Sequence, residues 1–265
     1  MERRVSMRSP FLSRKKTPLQ EQDQGHKAML RTLKEADSVD PNTRLQFAGS
    51  VLVDHVSQIL TDRHGVRFED LLGILGSCGG FSCIVGALHQ ASSNGQTPQA
   101  AGLLAMRGSD GNIYYFGGPS NKFLVEDRLS LLSLALGKSK ELGAPVSLEM
   151  VEETVIHVVA TGSTADFGIP RLTVEHSPTD IPLNYVKYLW PKLQGFLDLY
   201  EVPVMQRPTA YGFALQKTLE MGKDNLDPLL AVKIVVECAT PMSKICPSRL
   251  FGADPEPLNA TKFKD

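Results

Sequence analysis

The chain has 265 residues, 42% hydrophobic and 22% charged, with a formal net charge of -1. That length can bury a large core, and the composition does not match collagen-like, coiled-coil or wholly disordered chains. The near-neutral sum hides an asymmetry. Residues 1–16 hold Arg3, Arg4, Arg8, Arg14, Lys15 and Lys16 against Glu2, a net +5, which leaves -6 for residues 17–265 and argues against a large basic nucleic-acid face there.

The opening stretch is rich in Arg, Lys, Ser and Gln, carries Pro10 and Pro18, and has few apolar groups. Burial cannot offset its ordering entropy, so residues 1–40 are expected to form a basic, mostly disordered tail. No continuous apolar run follows the basic start, which excludes a secretory signal. Its Arg-rich, acid-poor character leaves organellar targeting as a minor alternative to an intracellular, cytoplasmic location. Ser9-Pro10 and Thr17-Pro18 are dipeptides at which phosphorylation could add charge.

A helical domain is expected over 41–248. Leu45, Val51, Val53, Val56 and Leu60 fall mostly on one helical face, with Asn42 or Thr43 placed to cap its start. Next comes an uncharged run of 18 residues, Leu71 to Leu88, containing five glycines and two serines. Its length reaches the lower bound for a membrane span, but the glycines make it a poor one. It is expected to be a buried core helix, or two helical pieces joined near Gly79 and Gly80, with no transmembrane segment in the chain. Gly76 and Gly80, four apart, would let another backbone approach closely.

Residues 102–116 carry the one hairpin signature: two runs of strand formers around Gly108, Asp110 and Gly111. Helical patterning then resumes. Leu129, Leu132 and Leu136 form a stripe that stops near Gly143, and Leu148, Val151, Val155, Val158 and Val159 follow at helical period behind a Ser147 cap. A Gly-, Pro- and Asp-rich loop occupies 162–182. The stripe Leu183, Val186, Trp190, Leu193, Leu197 and Tyr200 comes next, with Pro191 predicting a kink or break. Further helices are expected near 209–221 and 228–238, the second central because it is so apolar, and an extended tail over 249–265. The whole reads as mainly α, a single domain of about six to eight helices with one small β-hairpin.

Catalytic signatures are sparse. GSCGG at 76–80 lacks the lysine and the spacing of a phosphate-binding loop. Neither Ser77 nor Ser163 sits in a nucleophile elbow, and the Ser13-x-x-Lys16 match lies in the tail. Cys78, Cys83, Cys238 and Cys246 form no CxxC pair and lie in or beside apolar runs, as buried reduced thiols do. Cys78 becomes a nucleophile only if a helix N-terminus and a histidine such as His89 lower its pKa.

Glu149, Glu153 and His157 recur every four residues along one helix, a spacing that serves either a divalent metal or a solvated, ion-paired face. Asp54–His55, Asp62–His64 and Glu175–His176 are neighbouring pairs, the last in a long loop where functional side chains concentrate. No cofactor is expected. The leading expectation is an intracellular protein-interaction or scaffold protein whose tail residues, Arg3 to Lys16, contact a partner with an acidic surface. Nucleic acid or anionic lipid would be reached only through that tail. The alternative is an enzyme built on Glu153 with His157, or on Cys78.

Overall fold

From Pro18 to Asp37 the chain has proline at the first position and thereafter mostly Leu, Gln, Glu, Lys, Ala, Met and Arg, residues that lose little freedom in a helix. In the computed structural model, which describes residues 18–162 and 164–252, this stretch is helix α1 (Pro18–Asp37). The expectation of a mostly disordered tail over 1–40 is thereby corrected for its second half. A shortage of apolar groups limits core formation, whereas helix formation follows from backbone propensity. The chain divides into two compact units, residues 1–41, which contain α1, and 42–265.

The second unit is mainly α. Among the described residues it has seven helices longer than ten residues: α2 (Thr43–Leu60), α3 (Phe68–Ser93), α5 (Leu131–Glu141), α6 (Glu149–Thr161), α7 (Pro182–Leu199), α8 (Arg207–Gly222) and α9 (Pro228–Met242). Two four-residue helices, α4 (Gly118–Asn121) and α10 (Ser248–Phe251), a π-helical turn at Lys122–Glu126, 3-10 turns at Val174–His176 and Val204–Gln206, and a two-stranded sheet are also present. Start signals sit where the chain needs them. Ser130 caps α5 by accepting from Ser133 N–H, and Asp227 caps α9 by accepting from Leu229 and Leu230 N–H. Gly143, at φ +90°, ends the α5 segment in the left-handed region.

The glycine-rich run does not divide at Gly79 and Gly80. It lies inside one 26-residue helix, α3, which packs against α9, α8 and α7. α3 is long and apolar enough to cross a membrane, and 94% of that apolar window is buried inside the protein. Its glycines set the depth of packing. A Cβ on Gly76 would lie 3.3 Å from the Val235 carbonyl oxygen, and one on Gly80 only 2.1 Å from that of Ala239. The two helices thus meet backbone to backbone, as the four-residue glycine spacing predicts. α7 continues through Pro191 without a break. The carbonyl this proline leaves unpaired belongs to Lys187, on an exposed stretch where water can take the bond.

Strands β1 (Leu104–Arg107) and β2 (Ile113–Phe116) pair antiparallel, from Leu104 opposite Phe116 to Arg107 opposite Ile113. Gly111, at φ +78°, makes the turn between them. The far edge of β2 is taken by the chain leaving α9: Tyr115 N–H donates to Lys244 and Cys246 N–H donates to Ile113. Ordered contacts continue beyond 248. The Phe251 ring packs at a tilt against Phe81 and Trp190, with centroids 6.0 and 5.7 Å away, and Arg249 donates to the Tyr114 hydroxyl at 2.9 Å. The expected extended tail therefore starts too early at 249, because these two side chains have core and hairpin partners; residues 253–265 lie outside the described part.

Candidate functional site

Two of the three Asp/Glu–His pairs noted in the sequence come to one place, the first turn of α3. The loop after α6 folds back over that turn, with a short 3-10 turn at Val174–His176. Asp70 is buried there. Its carboxylate accepts from Thr179 N–H at 2.6 Å, from the Thr179 hydroxyl at 2.8 Å and from the Tyr185 hydroxyl at 3.0 Å. Arg67 stands 3.9 Å away and donates to the Glu175 carbonyl at 2.5 Å, while His176 Nδ1 lies 3.2 Å from Glu69. Burial raises the Tyr185 phenol above its ordinary pKa, with the Asp70 charge adding to the shift, so it stays a hydrogen-bond donor. Beside the clasp is a cavity of about 350 Å³ whose walls include Asp62, His64, Arg67, Asp70 and Thr179.

Every carboxylate oxygen of Asp70 is occupied, so the cluster works as a latch that fastens the 173–180 loop to α3. Sequence alone has no pointer to Asp70, which stands in FEDLLG beside Glu69 with nothing to separate the two. The third pair stays apart: Asp54 binds Lys217 at 2.9 Å and the His55 ring packs on Phe196 with centroids 4.0 Å apart. Among the described residues, no three His, Cys, Asp or Glu gather as a metal site would require.

All four cysteines are free and buried. Burial pushes the Cys78, Cys83 and Cys238 thiols well above their ordinary pKa, the reverse of what nucleophilic catalysis needs. His89 does not serve Cys78. The two share α3 but are eleven residues apart, about 17 Å along the axis. Motif reading also passes over a buried cation. Lys244 is 2% exposed, its Nζ donates to Asn121 Oδ1 at 2.7 Å, and burial lowers its pKa to about 8. A signal exists in the sequence, since it is the only charge between Cys238 and Ser248.

α6 carries Glu149, Glu153 and His157. The structure places both glutamates in solvent and leaves His157 half-buried. The helix starts without the expected Ser147 cap, with Leu148 in the cap position and no side-chain capping bond. The expected stripe holds in part: Val151 and Val158 are buried with Thr154, facing α9, and Val155 is half-buried against the core, whereas Leu148 and Val159 are 63% and 54% exposed, as is Ile156, outside that stripe, at 69%.

The cause is polar. Glu237 of α9 is buried, and Arg171 clasps its carboxylate through Nη2 at 2.6 Å and Nε at 3.0 Å. The Thr154 hydroxyl lies 3.1 Å from the same carboxylate and accepts from Arg171 at 2.9 Å. A buried charge must be paired, so this triad favours Thr154 on the inward face beside Val151 and Val158, an orientation that leaves Leu148 and Val159 outside.

Tail residues Arg3, Arg4, Arg8, Arg14, Lys15 and Lys16 lie outside the described residues. Comparison with protein-family models, curated proteins and solved structures finds no match to the chain.

Proposed function

We propose that this chain is a protein-interaction or scaffold protein of the cell interior, a helical domain that presents a binding face, joined to a basic N-terminal segment that contacts an acidic partner. The observation that carries this reading is the outer side of α6, where Leu148, Ile156 and Val159 stand in solvent on a helix whose other side is buried through Val151, Thr154 and Val158. Large exposed side chains of this kind mark contact surfaces when they share a face. Four free, buried thiols fit a reducing compartment. The +5 charge of residues 1–16 against -6 for the remainder supports the role of the tail.

Deleting residues 1–16, which stops short of α1, tests the tail. Partner recovery from lysate should fall, most strongly at low salt, while the melting temperature of the helical domain stays the same. An unchanged partner set at low salt counts against a binding role for the tail.

A further inference from the structure

We propose that the outer face of α6 docks a basic amphipathic helix of a partner protein. The inference rests on the interaction reading above and adds to it the site and the partner's chemistry. Leu148, Glu152, Ile156 and Val159 succeed one another at steps of four, four and three, so they form one line along the helix, about 17 Å from end to end. That is three turns, the length over which a partner helix sets anchors at i, i+4, i+7 or i+8, and i+11. Val155, half-buried beside this line, widens its apolar floor towards the body of the domain.

Charge selects the occupant. α6 holds Glu149, Glu152 and Glu153 and no lysine or arginine, and all three glutamates are exposed. The nearby guanidinium of Arg171 is committed to Glu237. A face that sets Leu148, Ile156 and Val159 around Glu152, with Glu149 and Glu153 beside them and no cation on α6, disfavours nucleic acid, anionic membranes and a second copy of itself laid face to face. It complements a helix with leucine-like anchors on one side and lysine or arginine flanking them. The Glu237–Arg171–Thr154 triad holds α6 in the orientation that leaves this face open.

The test uses the full chain and two labelled synthetic helices of leucine with lysine or leucine with glutamate, each with one apolar face, followed by fluorescence anisotropy. The lysine helix should bind and the glutamate helix bind at least about tenfold more weakly. Changing Ile156 and Val159 together to Ser should weaken the lysine helix about tenfold, and changing Glu149, Glu152 and Glu153 to Gln should remove most of its salt dependence. Ile156 and Val159 are exposed, so the melting temperature should hold in the serine variant, while the glutamine variant should lose a few degrees because Glu149 and Glu152 stand in the first turn of α6.

Equal binding of the two helices, or binding indifferent to the serine pair, overturns the proposal. If the serine pair instead converts a dimer to a monomer in sedimentation, the face is a self-association surface and the basic-helix proposal fails while the interaction reading stands. The proposal fails in the same way if lysate partners of the full chain are recovered equally with and without Ile156 and Val159. Loss of partner recovery in the wild-type chain, together with no binding of either helix, removes both readings.

Discussion

Lys244 shows how one buried side chain makes stability depend on pH. Its ammonium has left water for a single amide oxygen, and burial lowers its pKa from 10.5 to about 8. Between these values the unfolded chain holds a proton that the folded chain has released, so stability rises with pH across that window. Below pH 8 the ammonium is protonated in both states and the folded protein carries the full penalty, about 3 kcal/mol. Lys244→Met should therefore match or exceed the wild type in urea unfolding at neutral pH and lose the gain the wild type shows at about pH 9.5. A parallel pH response in both proteins would assign the slope to other groups. At Asp70 the expectation runs the other way: Asp70→Ala strands the Thr179 N–H and the Tyr185 hydroxyl, costs about 2–4 kcal/mol, and opens the 173–180 loop to hydrogen exchange.

At the scale of the helices, glycines differ by what a side chain would meet: Gly80 of α3, like Gly49 of α2, faces a neighbouring helix's backbone. Gly80→Ala drives a methyl into the Ala239 carbonyl, where backbone and not a flexible side chain is in the way, and should destabilise by at least about 3 kcal/mol. Gly137 is inside α5, exposed, with nothing within 4 Å of a Cβ placed there. Gly137→Ala should raise stability by about 0.5–1 kcal/mol, since it only reduces the freedom of the unfolded chain. Thermal denaturation of the two variants side by side checks both signs. Helix α6 shows why a periodic pattern can name a helix and still miss its buried face. Valines at 151, 155, 158 and 159 fit a helix in either orientation, and the choice is made by Glu237, 83 residues beyond Thr154.

For the whole domain, the burial of Cys78, Cys83 and Cys238 links thiol chemistry to unfolding. A thiol reagent should modify these three only as fast as the native protein opens, and destabilising changes such as Gly80→Ala should accelerate the labelling in proportion. Fast labelling of Cys78 in the stable native protein would instead revive the nucleophile reading. Most of the fold is legible in the sequence: the hairpin, the loop between α6 and α7, the central α9 and the glycine approach of α3 all follow from period, punctuation and apolar content. The candidate site is less so. Glu149 and Glu153 stand out as neighbours on one helix, but the period assigns their apolar companions Leu148 and Val159 to the core, and no motif marks Asp70 or Lys244.

Sequence by itself determined the mainly helical class, the order of the long elements from α2 to α9 and the close packing that small residues permit, because these depend on propensities and spacings within a few turns of chain. Tertiary structure alone decided which side of α6 faces out and which carboxylate latches the loop from 173 to 180. Both outcomes hang on buried polar partners, 83 residues apart for Thr154 and Glu237 and 109 for Asp70 and Thr179. A buried charge takes the nearest good donor in space, wherever that donor lies along the chain.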